Sequence, residues 1–410
     1  MNSTQIFEMA LGLQKPWFLK DIKMGLSESK THGQIDIYLD FEQGFKFKDI
    51  AGNELKTHDT VERTWQHLNF FQHTCYLHAR LPRVVSSEGK VLNVEVPWAR
   101  AGSGFTLLFE AFSMLLIESE MPVNKAADIM GVYAQRLWTI FNYWIKKAFK
   151  ADDQCETETI GIDETSTKKG HNYVTVAVDM EQRRVIYATP GKGADCIVKL
   201  KGHLEEKGAP KEQIKQACID MSPAFISGIM DNFPNAEITF DKFHTVKIIN
   251  EAMDRVRKLE RVEFEMLKGH KYTFLKQDKD LNANAKEAKY GLLKLYPVIA
   301  DAYRLKELFN EFWGFKTIEE AGGFLAYWCD LVEESGIQPF KKAAKTLLAH
   351  WTGIVNYAKS RLTNGILEGI NSKIQLAKKR ARGYRNINNF INMIYFIAGK
   401  LKFDYPLYFT

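Results

Sequence analysis

The sequence has few cysteines, and none of them are spaced like metal ligands. Its five cysteines are far apart and form no Cys-x-x-Cys pair; they are Cys75, Cys155, Cys196, Cys218 and Cys329. Disulfide-rich secreted domains and zinc knuckles built from cysteine both need closely spaced pairs. We therefore predict a reduced, cytoplasmic protein without disulfide bonds.

Long apolar runs are also missing. The most apolar stretch, FTLLFEAFSMLLI at residues 105–117, is interrupted by Glu110 and is too short to cross a bilayer. The first twenty residues lack the charged and then apolar pattern of a secretion signal. These absences predict a protein that has no membrane partner.

Acidic residues are scarce near the C-terminus. Residues 361–403 hold nine Lys or Arg and a single acid, Glu368, so this segment carries a charge of +8. The whole chain has a net charge of +6, so its other residues sum to −2. A basic segment on a nearly neutral body predicts an anionic partner, with nucleic acid first among the candidates.

Hydrophobic periodicity divides the chain into distinct segments. Short alternating runs between residues 31 and 98 predict a small β-rich module, and a helical period begins near residue 105. Residues 159–244 predict strands and helices in the order βββαβαβ, which indicates a mixed sheet with helices on its faces. Residues 245–360 are nearly all helical in pattern.

Three carboxylates have positions that suit phosphoryl transfer. Asp163 lies near the end of a predicted strand, Asp220 ends another, and Glu368 projects from a later helix among polar and basic residues. Each alone has an ordinary explanation as a turn, cap or first-turn residue. Together they suit two Mg²⁺ or Mn²⁺ ions, because these ions prefer hard oxygen ligands and act in pairs on phosphates.

Four segments, in order, resemble the RNase H-like core of DDE transposases, and more narrowly the bacterial insertion-sequence transposases of the ISL-three family. They are IGIDETSTKKGHNYVTVAVD, IDMSPAF, FPNAEITFDKFHTVKIINEA and TNGILEGINSKIQLAKKRARGYRN. The resemblance implies that Asp163, Asp220 and Glu368 form the catalytic, metal-binding DDE triad. Its D-x-x-H element implies that Asp241 and His244 lie near the site, although a core histidine bonded to a loop is an equal alternative for His244.

The resemblance also implies a multidomain α+β fold. More than a hundred residues separate Asp241 from Glu368, so we expect an all-helical insertion whose tryptophans are buried or stack on an exposed base. The expected domains are a β-rich ribbon-like module (1–100), a helix-turn-helix (101–150), an RNase H-like mixed α/β core in two parts (151–244 and 361–410) and the insertion (245–360).

Two groups of residues are candidate DNA contacts. The segment PVNKAADIMGVYAQRLWTIF fits a helix-turn-helix, and a helical hairpin without a DNA role is the alternative. Its second helix would present Gln135, Arg136 and Thr139 to DNA. The basic residues after Glu368 would hold the phosphate backbone. They are Lys373, Lys378, Lys379, Arg380, Arg382 and Arg385.

The family usually begins with a zinc ribbon of two C-P-x-C-G knuckles, and this sequence departs from that pattern. Aligning FKFKDIAG and RVVSSEGK on the knuckles places other residues at the four cysteine positions, namely Lys48, Ala51, Val85 and Glu88. We therefore expect no zinc, and a module held together by aromatic packing. The aromatic candidates are Phe41, Phe45, Phe47, Trp65, Phe70 and Phe71.

The resemblance as a whole implies a transposase. It would cleave double-stranded DNA at the terminal inverted repeats of an insertion sequence and join the ends to target DNA. It would work in the bacterial cytoplasm, at the nucleoid, as a homodimer or larger assembly on DNA. Two alternatives stay open: another RNase H-like nuclease, such as a junction resolvase, and a catalytically silent DNA-binding regulator derived from a transposase.

Overall fold

The computed structural model describes residues 3–25, 33–48, 52–86, 89–167 and 172–405. It divides into two compact units, Met1–Trp144 with Phe403–Thr410 and Ile145–Lys402. All five cysteines are free thiols. Within the described ranges, no helix combines the length and the apolar character needed to span a bilayer.

The first unit contains a five-stranded sheet followed by helices. The strand order is β1-β2-β4-β3, with β5 paired to β4; β2 and β4 run parallel and the other pairs antiparallel. The elements are α1 (Ser3–Ala10), β1 (Trp17–Gly25), β2 (Gln34–Phe41), β3 (Lys56–Phe70), β4 (His73–Val85), β5 (Val91–Asn93), α2 (Leu107–Glu118), α3 (Val123–Met130) and α4 (Ala134–Ala151), whose end belongs to the second unit.

Aromatic side chains form much of the core of this sheet. Trp98 packs edge-on against Trp17 and Trp65, with ring centroids 5.0 and 5.8 Å apart. Of the six aromatic residues expected to hold the module, Trp65 and Phe47 are buried, but Phe71 is 82% exposed. Phe71 lies in the tight turn between β3 and β4, with a positive φ of 52°, and is therefore outside the paired strands that enclose the core.

Helices α2 to α4 have the spacing that the sequence predicted. Gly131 ends α3 in the left-handed conformation, with φ of 66°, and α4 begins three residues later. The acid that interrupts the apolar run of α2, Glu110, is fully buried. Its carboxylate accepts hydrogen bonds from Arg100, Ser103 and Trp144 at 2.9, 2.6 and 2.7 Å. These bonds tie the start of α2 to α4.

The second unit contains the other five-stranded sheet, in the order β10-β9-β6-β7-β8. Its elements are β6 (Thr159–Ser166), β7 (Tyr173–Asp179), β8 (Arg184–Pro190), α5 (Ala194–Glu206), β9 (Gln216–Ile219), α6 (Pro223–Asn232), β10 (Glu237–Phe240), α7 (Lys242–Glu260), α8 (Lys271–Leu275), α9 (Ala283–Leu295), α10 (Pro297–Phe309), α11 (Ile318–Ser335), α12 (Gln338–Ala349), α13 (Trp351–Val355), α14 (Tyr357–Ser360), α15 (Gly365–Arg380) and α16 (Ile387–Ala398).

This sheet is mixed, and the predicted βββαβαβ order is confirmed. Strands β6, β9 and β10 run parallel, while β6, β7 and β8 form an antiparallel meander. The turn between β7 and β8 is fixed by Asp179, whose carboxylate accepts the backbone N–H groups of Glu181 and Gln182 at 2.9 and 2.8 Å. Parallel strands end at one edge of a sheet, so Asp163 in β6 and the residues directly after β9 and β10 lie along that edge.

The chain between β10 and α15 folds into helices whose buried apolar side chains form one continuous core with those of the second sheet. Trp328 is fully buried and donates its indole N–H to the carbonyl of Leu305 at 2.9 Å. Trp351 packs against the backbone at Gly322, where a Cβ would lie 3.2 Å from the indole ring. Trp313 packs among Phe309, Phe312 and Tyr357. Trp328 is therefore a core residue and has no face available for a DNA base.

Candidate active site

Three aspartates lie side by side where the parallel strands end. The register that pairs Gly161 with Cys218 brings Asp163 level with Asp220, two residues further along each strand. Asp241 directly follows β10, whose last residue pairs with the residue before Asp220. Since neighbouring strands lie about 4.8 Å apart, the three aspartates form a row across β6, β9 and β10.

Helix α15 runs along β6 in step with it. The side-chain amide of Asn371 donates to Asp163 Oδ2 at 2.7 Å, and that of Gln375 donates to Thr165 Oγ1 at 2.7 Å. Two strand residues advance about 6.6 Å and four helical residues about 6 Å, so successive contacts stay aligned. The alternation of the strand and the turn of the helix thus place Asn371 opposite the first predicted catalytic residue.

The close approach of α15 to β6 depends on a glycine. A Cβ at Gly161 would lie 2.5 Å from Leu367 Cδ1 and from Met180 Sδ. At the other end of the helix, Lys378 Nζ donates to the carbonyl of Ser166 at 2.7 Å. The helix is therefore held against the strand along about three turns, from Leu367 to Lys378.

The start of α15 is fixed beside Asp241. The backbone N–H of Asn364 donates to Asp241 Oδ1 at 3.3 Å, and the side-chain oxygen of Asn364 accepts from the Cys218 thiol at 3.0 Å. The backbone N–H of Glu368 in turn donates to the carbonyl of Asn364 at 2.7 Å. The start of the helix is thus bonded to Asp241, and Asn371, about two turns later, is bonded to Asp163.

Glu368 lies between these two anchors and is exposed. It follows Asn364 by four residues and precedes Asn371 by three, so it lies about 60° around the helix from Asn371. The helix brings Glu368 to the same edge as Asp163 and Asp220. The three carboxylates are not gathered around one point, since the described residues contain no group of three His, Cys, Asp or Glu side chains that could hold a metal ion.

The row of aspartates is electrostatically strained. Burial raises the pKa of Asp163, and the negative charges of Asp220 and Asp241 raise it further. The backbone N–H of Glu164, which donates to Asp163 Oδ1 at 2.7 Å, acts in the opposite direction. The pKa of Glu164 itself is raised by burial and then by the charge of Asp220. These shifts are typical of carboxylates crowded together at a functional site.

Asp241 and His244 form a hydrogen-bonded pair at the start of α7. Asp241 caps the helix by accepting the N–H of Phe243 at 3.2 Å, and its other oxygen lies 3.0 Å from His244 Nδ1. This bond raises the pKa of His244, and the charges of Asp220 and Asp163 raise it further. The structure therefore brings His244, which is half-buried, beside the row of aspartates.

Sequence reasoning missed the residues that hold these carboxylates in place. Asn371 orients Asp163, Asn364 links Cys218 to Asp241, and Glu164 lies beside Asp220. A signal for the two asparagines was present in TNGILEGIN, because Asn364 and Asn371 lie one turn before and one turn after Glu368.

The predicted DNA contacts after Glu368 differ in their surroundings. Lys378 is bonded to the end of β6, because the register of α15 turns this lysine toward the strand. Arg382 lies beyond the end of α15 with a positive φ of 55°. The remaining predicted contacts, which are Lys373, Lys379, Arg380 and Arg385, are exposed.

The predicted contacts of the helix-turn-helix lie in the first two turns of α4 and are exposed. The guanidinium of Arg136 lies 4.2 Å from the ring centroid of Phe105. The hydroxyl of Thr139 donates to the carbonyl of Gln135 at 3.0 Å. Gln135, Arg136 and Thr139 thus share one accessible end of this helix.

Comparison with known families identifies the family to which the chain belongs. A family model of ISL3 DDE transposases, described as "Transposase", matches residues 160–394, which is more than half of the chain. The chain belongs to the transposase family ISL3. A second model, "Helix-turn-helix domain of transposase family ISL3", matches residues 94–145. The resemblance to this family predicted from the sequence is confirmed, and the two matches indicate a DNA-processing, DNA-binding enzyme.

Individual relatives of this ISL3 family member carry the same description. The transposase for insertion sequence element IS1001 of Bordetella parapertussis is 27% identical over 341 residues, 81% of this chain and 83% of that protein. The transposase for insertion sequence element IS1557 of Mycobacterium tuberculosis is 25% identical over 418 residues, 94% and 93% of the two chains.

One solved structure also matches part of the chain. It is the cryo-EM structure of a simian T-cell lymphotropic virus intasome in complex with PP2A regulatory subunit B56 gamma. The match has 14% identity and a TM-score of 0.20, and it covers 43% of this chain and 63% of that chain. A TM-score of that size is too low to show a shared fold.

A third family model corrects one prediction. The model "zinc-finger of transposase IS204/IS1001/IS1096/IS1165" matches residues 53–88, so the expectation of no zinc is wrong. That expectation rested on the four missing cysteines and left histidine, a common zinc ligand, out of account. The matched segment also contains one cysteine, Cys75, and four histidines, which are His58, His67, His73 and His78.

Three of these histidines lie within hydrogen-bond distance of neighbouring groups. His78 Nε2 lies 2.7 Å from an Asp36 oxygen, and His67 Nδ1 lies 2.8 Å from the Thr106 hydroxyl. His73 Nδ1 accepts the backbone N–H of Gly33 at 2.9 Å. In the part of the module that the structure describes, no three donors are grouped to hold a metal ion. Two of the aligned knuckle positions, Ala51 and Glu88, lie outside the described residues.

Proposed function

We propose that this ISL3 family member hydrolyses DNA at the ends of an insertion sequence and then transfers the freed 3′-hydroxyl to target DNA. In this proposal Asp163, Asp220 and Glu368 act as a DDE triad, with two Mg²⁺ or Mn²⁺ ions, in an RNase H-like core. The observation that carries it is the double anchoring of α15, which is bonded to Asp241 at its start and to Asp163 one turn after Glu368.

The chemistry of the donor set supports divalent cations. Carboxylate oxygens are the hard ligands that Mg²⁺ and Mn²⁺ prefer. Burial raises the pKa of the half-buried Asp163, and the charges of Asp220 and Asp241 raise it further, so added positive charge would stabilise this edge of the sheet. When bound, a pair of such ions activates the attacking oxygen and stabilises the leaving oxygen in an in-line displacement.

The surrounding residues orient the carboxylates. Asp163 accepts one hydrogen bond at each oxygen, from Glu164 N–H and from the amide of Asn371. Asp220 Oδ1 accepts the backbone N–H of Ser222 at 2.9 Å. Each carboxylate oxygen has two lone pairs, so these bonds fix the orientation and still leave acceptor sites for ligation. Hydrogen bonds that other residues make to the ligands of a metal site tune its affinity for the metal.

The proposal is tested by Glu368→Gln, which keeps the shape of the side chain and removes its charge. We expect strand cleavage to fall about a thousandfold or more, because a metal ligand contributes several kcal/mol to the transition state. DNA binding should hardly change. Cleavage would be measured with Mg²⁺ or Mn²⁺ on duplexes that carry the DNA flanking the coding sequence.

Glu319→Gln is a matched control, because Glu319 is also an exposed glutamate in the first turn of a helix, α11. It should cleave like the unchanged protein. Cleavage by Glu368→Gln at the normal rate would contradict the triad, and so would an equal loss in both variants.

The same assay separates the two other functions. A regulator derived from a transposase would bind the duplex and never cut it, whatever the ion. Another RNase H-like nuclease would cut it without joining the 3′ end to a second duplex. The proposal also includes a homodimer or larger assembly, because two element ends must be joined at one target. Light scattering with and without DNA would measure that assembly.

A further inference from the structure

A cluster of two cations and two aromatic rings lies beside Asp241. Lys242 Nζ is 4.8 Å from the ring centroid of Trp313 and 5.9 Å from that of Tyr357. The guanidinium carbon of Arg361 is 5.5 Å from the Tyr357 centroid. We refer to Lys242, Trp313, Tyr357 and Arg361 as the Lys242–Arg361 cluster.

Distant parts of the second unit build this cluster. Lys242 begins α7, Trp313 lies in the 3₁₀ turn Asn310–Gly314, and Arg361 follows α14. The guanidinium of Arg361 donates to the carbonyl of Trp313 at 2.9 Å and also to that of Phe315. Arg361 has a left-handed backbone, with φ of 54°, which these bonds help to hold. The charge of Arg361 is therefore fixed in position.

The positive charge of the cluster is not balanced by a carboxylate. Across the described ranges, neither Lys242 nor Arg361 has a carboxylate oxygen within ion-pair distance, although Asp241 is adjacent in sequence. Asp241 is occupied by His244 and by two backbone N–H groups. Burial lowers the pKa of Lys242, and the charge of Arg361 lowers it further. Two neighbouring cations without a counter-charge favour binding of an anion.

The position of the cluster indicates which anion it binds. Lys242 directly follows Asp241, so the cluster lies at the β10 end of the row of aspartates. A DNA strand whose scissile phosphate lies at the carboxylates has its next phosphates within one or two strand spacings of that point. The cations already lie over the rings of Trp313 and Tyr357, so these rings suit a charged group better than a stacked base.

We propose that the Lys242–Arg361 cluster binds a backbone phosphate of the DNA strand, next to the phosphate that is cleaved. The proposal rests on the proposed function, because that function supplies the strand. The row of aspartates repels the DNA backbone, and Lys242 and Arg361 attract it. Together these charges determine which phosphate of the strand lies over the aspartates. The contact is to phosphate, so it is independent of base sequence.

The test measures how binding of a short fluorescent DNA duplex depends on salt, without divalent ions, using the full chain. For duplex DNA, each lost phosphate contact reduces the slope of log K against log salt by about 0.9. We expect Lys242→Gln combined with Arg361→Gln to reduce the slope by about one unit and to weaken binding equally for unrelated sequences. Lys242→Arg, which keeps the charge, should bind like the unchanged protein.

Lys247→Gln is the control, because Lys247 is exposed on the same helix and lies 4.0 Å from Glu251. It should leave the slope unchanged. Circular dichroism would show that each variant is folded, and Lys242→Gln alone gives the same readout if the double variant is not. An unchanged slope, an equal fall in Lys247→Gln, or a fall that Lys242→Arg shares would overturn the proposal. A chain that shows the expected slopes but never cleaves DNA would instead overturn the catalytic function and leave this contact supported.

Discussion

The two units each contain a five-stranded sheet, and the sheets differ in where polar residues collect. In the first sheet only β2 and β4 run parallel, and its core is built around tryptophans. In the second sheet three adjacent strands run parallel, and three aspartates lie level with one another on them: Asp163 within β6, Asp220 directly after β9 and Asp241 directly after β10. Adjacent parallel strands bring chain segments that are distant in sequence to one edge of the sheet. The second sheet is therefore suited to an active site built from several segments.

The two sheets also differ in how closely other elements pack against a glycine of the sheet. In the second unit α15 approaches β6 so closely that Gly161 leaves no room for a Cβ beside Leu367 and Met180, which are 1% and 5% exposed. In the first sheet Gly25, at the end of β1, has open space around it. The two glycines therefore offer a direct comparison of the two sheets.

The largest effect should come from Gly161→Val. The new methyl groups would push α15 away from β6, and we expect the free energy of unfolding to fall by about 1–3 kcal/mol. Cleavage should be lost as well, because Asn371 and Glu368 move with the helix. Denaturant unfolding would measure the first effect. Gly25→Val should change stability by less than about 0.5 kcal/mol, and a similar loss in both variants would contradict the packing argument.

A smaller effect is expected for Asn371→Ala, which removes the amide that orients Asp163. We expect the cleavage rate to fall about 10–100-fold and cleavage to need a higher Mg²⁺ concentration, as is usual when a hydrogen bond to a metal ligand is lost. The rate would be measured over a range of Mg²⁺ concentrations. Ser372→Ala, at the exposed neighbouring position, should have no effect. Normal cleavage by Asn371→Ala would show that this bond does not position Asp163.

The smallest effects are expected for one aspartate in each sheet, Asp40 and Asp163, whose contributions to stability should depend on pH in opposite ways. Burial acts to raise the pKa of Asp40, but the N–H of Phe41 and the guanidinium of Arg80 outweigh it, and the pKa lies below its usual value. Asp40 therefore contributes stability at neutral pH that is lost as the pH falls through its lowered pKa. For Asp163 the pKa is raised, so its contribution is present at low pH and is lost as the pH rises through the raised pKa.

We therefore expect opposite results from the two Asp→Asn substitutions in the metal-free chain. At neutral pH, Asp40→Asn should lower the free energy of unfolding by about 1 kcal/mol, and Asp163→Asn should leave it unchanged or raise it. The difference should shrink at acidic pH. Thermal unfolding at several pH values would measure it, and a loss of stability in both variants at neutral pH would refute the contrast.

The sequence predicted the helices and strands well, and it predicted the contacts between distant side chains less well. Alternating and helical periods predicted every strand of the second sheet, and the aspartates stand out because each directly follows or ends an apolar run. The bond between Asn371 and Asp163 joins residues 208 positions apart, and no local pattern indicates such a pairing. Lys378 was predicted to contact DNA, yet the packing of α15 directs it to Ser166.

The wrong prediction about zinc has a similar origin. The prediction of no zinc considered only one type of ligand, cysteine, at the aligned knuckle positions. The match to the zinc-finger model covers residues 53–88, which include only two of those four positions, Val85 and Glu88, so it depends on other residues of the module. The aromatic prediction was correct for Trp65 and Phe47, whose strands and turns face the core, and wrong for Phe71, which lies in a turn.

The bond between Asn364 and Asp241 joins residues 123 positions apart, so the helices between them form one large loop whose two ends meet at the site. Two further bonds close the loop at the same place: the hydroxyl of Thr239 donates to that of Ser360 at 2.9 Å, and the amide of Asn356 donates to the carbonyl of Ile238 at 2.8 Å. The entropy of closing a loop grows only with the logarithm of its length, by about 0.6 kcal/mol for each doubling. Evolution can therefore lengthen or shorten this loop with little strain on the carboxylates at its base.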